Sequence, residues 1–73
     1  MIYVFLANGF EEIEALAPVD ILRRAEQEVK TVGVGGKTIT GSHGITVTAD
    51  IEEKDVTTDD MEMMILPAAC PAR

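Results

Sequence analysis

The 73-residue sequence predicts an α/β layered fold built on a mostly parallel sheet, and three features carry that prediction. Residues 2–7, IYVFLA, form a continuous apolar run ending in Asn-Gly, the pattern of a strand buried on both faces. A segment of helical periodicity with acids in its first turn follows directly. After several short alternating segments a second largely apolar run, MEMMIL at 61–66, is stopped by Pro67.

Each element has a local reason. Asn8 or Gly9 can cap the helix, and Glu11 and Glu12 lie where the positive end of the helix dipole favours anions. Pro18 lacks an N–H and disfavours helical geometry at Ala17, so a kink is expected there, with a second helical segment running to about Glu28. VKTVGV at 29–34 reads as a second strand closed by Gly35-Gly36. KTIT and GITVTAD read as a hairpin, because Ile45, Val47 and Ala49 alternate with small polar residues. IEEKDVTTDD is a polar connection with room for one helical turn. Strand 2–7 is expected at the centre of the sheet, with 61–66 parallel to it and the 38–49 hairpin at the periphery, joined by right-handed crossovers. A mostly parallel sheet needs helices on both faces, and the chain supplies one good helix. Either another polypeptide covers the second face, or these residues are the front portion of a longer protein.

Composition narrows the function. A chain this short buries only about 60% of its unfolded surface, so its core is marginal. It is 47% hydrophobic and 26% charged, with no long apolar run, which indicates a globular chain without a membrane span. Thirteen acids against six bases give a net charge of −7, which repels phosphate backbones and anionic lipid, so neither nucleic acid nor a membrane is an expected partner. The start MIYVFLANG lacks the basic region of a signal peptide, and the single cysteine, Cys70, fits a reducing compartment; the expected location is the cytoplasm.

One acid stands out. At about 100° per residue, and with Ile13 as the origin, Ala17, Ile21, Ala25 and Val29 sweep a single apolar arc, and Glu14 falls in its middle at about 100°. Glu12 and Arg23 project to the opposite side. Glu14 is therefore expected to be mostly buried and to point toward the carboxyl ends of the strands, where open α/β sheets place ligand sites, while Glu12 is expected to be exposed. The periodicity fits equally a solvated acid in the helix's first two turns. Glu11 and Glu12 read as helix-start acids rather than metal ligands, because one histidine and no second acid cluster leave little to finish a coordination shell; no metal is expected. TVGVGGKT departs from the phosphate-loop pattern, with Thr31 where glycine is needed and a strand following it, and reads as a turn. Cys70 follows directly after a strand and is a candidate thiol, but a reactive cysteine also needs a base or a cation, and Pro71 prevents a regular helix from opening next to it. His43, in the hairpin turn, is expected to be exposed and is a candidate for the edge of a site.

Taken together, GFEEIE at 9–14, PVDILRRA at 18–25, SHGITVTAD at 42–50 and ILP at 65–67 resemble the ThiJ/PfpI superfamily, in particular its DJ-one branch. The resemblance covers nearly the whole chain. It implies a flavodoxin-like, class I glutamine-amidotransferase-like sandwich, incomplete in this chain, with residues 1–73 as the amino-terminal portion of one domain. It also implies a buried, protonated glutamate that hydrogen-bonds the catalytic cysteine, with Glu14 at the matching position. The family nucleophile lies on a later strand-to-helix elbow beyond Arg73, so the chain alone is expected to be inert. Where the family reads LPGG this chain reads LPAA, which puts the backbone N–H of Ala69 at the oxyanion pocket, in place of a glycine. His43 stands where close relatives often carry an arginine near the partner's site.

The activities implied are those of a cofactor-free glyoxalase or a deglycase acting on a small carbonyl substrate, or of an intracellular protease or amidase. An oxidative-stress chaperone or dimerising module is the alternative from a different class, and an inactive fragment is the third reading. No cofactor is implied. The partner implied is a second copy, as a homodimer through the first helix.

Overall fold

The computed structural model describes residues 1–67. β1 (Ile2–Leu6) is followed by α1 (Glu12–Arg24) and β2 (Val29–Gly33). β3 (Thr38–Thr40) and β4 (Thr46–Thr48) come next, then β5 (Ile51–Glu52), a single 3₁₀ turn at Glu53–Asp55, and β6 (Met63–Ile65). Four strands form a parallel sheet in the order β5-β2-β1-β6, with β1 inside it. The register runs Ile2↔Val29 to Leu6↔Gly33 on one side of β1 and Ile2↔Met63 to Val4↔Ile65 on the other. The central position of β1, its parallel pairing with the last strand and the separate antiparallel β3–β4 hairpin agree with the sequence. β5 is an addition: two residues of the polar connection pair with Val32 and Gly33, too short a strand to leave a periodic signal.

The core lies between one face of the sheet and α1. Side chains alternate along a strand, so Ile2, Val4 and Leu6 share a face. With Val29 and Phe10 they form one buried cluster with Ala15 and Val19 of α1 and Ile39 of the hairpin, while Leu16, Leu22, Val47 and Ile65 pack around it. On the opposite face Tyr3 is buried, its hydroxyl donating to Asp60 at 3.2 Å, and Phe5 is half-buried.

Three local expectations about α1 are revised. The helix runs without interruption through Pro18 and ends at Arg24, not near Glu28. Proline forfeits one N–H bond and crowds the preceding turn, but its fixed φ is itself helical, and apolar contacts on both sides of it, at Ala15 and Leu16 before and Val19 and Leu22 after, hold the segment together. The early stop comes from a Schellman arrangement: Glu26 takes φ 61°, its N–H donates to the Arg23 carbonyl, and the Gln27 N–H donates to that of Leu22. At the other end the cap position is Glu11, without a side-chain capping bond. The Asn8 side chain instead accepts from the Thr40 N–H at 3.0 Å and so ties β1 to the hairpin.

Candidate functional site

Beyond the carboxyl ends of β1 and β2 lies a recess of about 180 Å³ lined by Phe5, Ala7, Phe10, Val34, Leu66 and Pro67. This is where open α/β sheets accept ligands, because strand ends and the helix starts that follow them converge there. Its lining is apolar among the described residues, so it offers shape and water exclusion but no acid, base or nucleophile. Ala69 and Cys70, the oxyanion and thiol candidates, lie outside the described residues.

The structure overturns the placement of Glu14. It is exposed, and Glu12 is the buried acid, at 6% relative exposure. α1 carries apolar residues on two arcs. Ala15, Leu16, Val19 and Leu22 face the sheet, and Glu12 lies on their side; Ile13, Ala17 and Ile21 face away, with Ile13 82% and Ile21 63% exposed. Both arcs carry apolar side chains of similar bulk, Ile13 and Ile21 on one and Leu16, Val19 and Leu22 on the other, and the sheet packs against the second. The i, i+3, i+4, i+7 spacing of residues 12, 15, 16 and 19 is the signal that points to Glu12.

Glu12 is buried against the turn of the β3–β4 hairpin. Its Oε2 accepts the His43 backbone N–H at 2.8 Å and that of Ile45 at 3.4 Å, and its Oε1 lies 3.0 Å from His43 Nδ1. Next to it, Ser42 Oγ donates to Glu11 Oε1 at 2.8 Å, and the Ser42 N–H donates to the Phe10 carbonyl at 2.8 Å. Gly41 packs so closely on the Glu12 side chain that a Cβ there would overlap its carboxylate. Glu11, Glu12, Ile13, His43 and Ile45 line another recess, of about 210 Å³. His43 is thus exposed as expected, with a side chain 72% accessible, but it is anchored to a buried acid rather than placed on the carboxyl-end recess.

The electrostatics follow from these bonds. Burial works to raise the Glu12 pKa, but the bond from the His43 side chain outweighs it together with the N–H groups of Glu12, His43 and Ile45, and the carboxyl is held down at about 2. The hydrogen bond to Glu12, the charge of that carboxylate and the charge of Glu11 raise His43 above its ordinary value of 6.5. Among the described residues no three His, Cys, Asp or Glu side chains are grouped to hold a metal ion, and no helix is long and apolar enough to cross a membrane.

The model of the DJ-1/PfpI family matches residues 1–68. The chain belongs to the DJ-1/PfpI family. Among its curated relatives, a deglycase of Thermococcus kodakarensis is 30% identical over 66 residues, which are 90% of this chain and 40% of that protein. Protein dj-1beta of Drosophila melanogaster is 34% identical over 65 residues, 88% of this chain and 35% of that one. Among solved structures, oxidized Toxoplasma gondii DJ-1 superposes with a TM-score of 0.88 at 31% identity, covering 96% of this chain and 39% of that one. The mostly parallel sheet and single helix described above are therefore part of the DJ-1 superfamily fold, and this DJ-1/PfpI chain spans 35–40% of the length of these relatives.

Proposed function

We propose that this chain is the amino-terminal portion of a DJ-1/PfpI protein whose complete form acts on reactive carbonyl compounds as a deglycase or cofactor-free glyoxalase. The observation that carries this reading is the apolar recess beyond β1 and β2, at the strand ends from which α1 departs, in a chain whose curated relatives include deglycases. On this reading the nucleophile is a cysteine on a strand-to-helix elbow beyond Arg73. Glu14 hydrogen-bonds that cysteine; its side chain is exposed and bonded to no described residue, and so is available to a segment packing over it. The Ala69 N–H contributes to the oxyanion pocket. The proteolytic and amidase activities of the wider superfamily are not favoured by anything in the recess.

A thiolate needs a positioned partner and a water-excluding pocket to attack a carbonyl carbon efficiently. The 73-residue chain should therefore turn over no more methylglyoxal than its Cys70→Ser variant. A complete homologous protein should turn it over, and Glu14→Gln there should lower kcat by at least about tenfold. Cys70-dependent turnover by the short chain would overturn the assignment, and an unchanged rate for Glu14→Gln would remove Glu14 from the reaction.

A further inference from the structure

Glu12 is a buried charge that the carbonyl chemistry does not use, and apart from its own backbone N–H the groups that bond its carboxylate come from one place, the turn at residues 41–45. A carboxylate without partners in that position would be prohibitively costly, so the turn and the start of α1 need one another. Two further backbone bonds run along the same seam, the Gly9 N–H to the Thr40 carbonyl at 2.9 Å and the Ser42 N–H to that of Phe10 at 2.8 Å, while the Gly41 N–H to the Ile45 carbonyl at 2.9 Å closes the turn itself.

The proton on His43 can be placed from the contacts. Nδ1 faces an ionised carboxylate oxygen at 3.0 Å, so Nδ1 carries a hydrogen and donates it; an unprotonated Nδ1 there would set two lone pairs against each other. The exchangeable site is then Nε2, on a ring that is largely in solvent. Protonation at Nε2 leaves the Nδ1 to Glu12 bond in place and converts it from a neutral donor into a charge-assisted one, which is shorter and stronger.

We propose that the Glu12–His43 pair is a pH-sensitive clip between α1 and the β3–β4 hairpin, tight while His43 carries a proton on Nε2 and loosened when that proton leaves. The charged groups that face the pair are Glu12 itself on α1 and Glu11 just before it, and both favour the imidazolium; Ser42 contributes an uncharged hydroxyl 3.1 Å from Nδ1. No described cation opposes them. Because His43 is raised above 6.5, its contribution is complete below that pH and is lost as pH rises through the raised value. Because Glu12 is lowered from 4.5 to about 2, its contribution is complete above 4.5 and is lost as pH falls toward 2. The clip is therefore strongest between pH 4.5 and 6.5. It sets the seating of Ile45 beside Ile13, which together line the recess next to the pair.

His43 is the chain's one histidine, so its imidazole signals need no assignment by mutation. Nitrogen-15 NMR titration of the full chain should show a midpoint above 6.5, a neutral form that keeps its hydrogen on Nδ1, and amide shifts of Ser42, His43 and Ile45 that follow the same midpoint. Hydrogen-exchange protection factors across residues 40–45 should be about two- to fivefold higher at pH 5.5 than at pH 8.5. His43→Arg, a permanent cation, should flatten that pH dependence, and Glu12→Gln should bring the histidine midpoint down. A midpoint at or below 6.5, an Nε2–H neutral form, or the wild-type pH dependence surviving in His43→Arg would overturn the clip. The wild-type titration decides even if a variant does not fold, and none of these readouts depends on carbonyl turnover.

Discussion

Gly41 is the residue on which the fit between hairpin and helix turns. A buried carboxylate is tolerable only when its oxygens are fully hydrogen-bonded, and no buried side-chain oxygen or nitrogen among the described residues lacks a partner. Reaching the N–H groups of residues 43 and 45 requires Glu12 to lie across Gly41, where a Cβ would meet its Oε2, Cδ and Cγ. Gly41→Ala should therefore destabilise the chain by about 1–3 kcal/mol, the usual cost of overpacking a filled site. Combining it with Glu12→Ala should cost less than the two single changes added together, since the second removes the atoms the first collides with. Urea unfolding of the four proteins in this cycle measures that coupling, and simple additivity would mean that the two residues do not compete for space.

At the scale of elements, the ends of α1 are held by different means. Its carboxyl end is tied to the sheet by Asp50, whose Oδ2 accepts from Arg23 at 2.6 Å, from the Thr31 N–H at 3.0 Å and from Thr31 Oγ1 at 3.2 Å. Burial opposes ionisation of Asp50, but these bonds prevail and hold its pKa below the ordinary carboxylate value. The same end carries a strained residue. Glu26 occupies the left-handed position of the Schellman turn with φ 61°, where a side chain crowds its own backbone and glycine does not. Glu26→Gly is expected to stabilise the chain by about 0.5–1 kcal/mol, less than the full relief because glycine also gains freedom in the unfolded state. Thermal unfolding that moves down instead would show that the Glu26 side chain contributes more than its strain costs.

For the molecule as a whole, the outer arc of α1 is one apolar surface that the fold leaves uncovered. Ile13, Ala17 and Ile21 form an apolar stripe facing away from the sheet, with half-exposed Ile45 of the hairpin nearby. A homodimer through the first helix would cover it. An Ile13→Asp substitution should then shift sedimentation of the chain to the monomer without lowering its helical content, and a chain already monomeric at high concentration would rule the contact out. The same stripe explains where sequence reasoning succeeded and where it failed. Continuity of apolar residues at 2–7, the break at Asn8-Gly9 and the alternation at 45–49 are local properties, and they marked the buried strand, the helix after it and the hairpin, because the apolar faces and breaks of a segment are written in its near neighbours, whereas the pairing with residues 29–33 and 63–65 is made by distant ones. The motifs GFEEIE and PVDILRRA carried the family in the same way. Periodicity supplied the angles between residues 12, 13 and 14 on the helix, but angles have no origin until a surface is chosen. Only the packed sheet chose it: Ala15 and Val19 are buried against the sheet with Leu16 and Leu22 beside them, Glu12 turned inward with them, and Glu14 stayed with Ile13 outside. The partner for the buried charge came from a turn 31 residues away, where backbone N–H groups that any sequence possesses were aimed at one carboxylate by the fold.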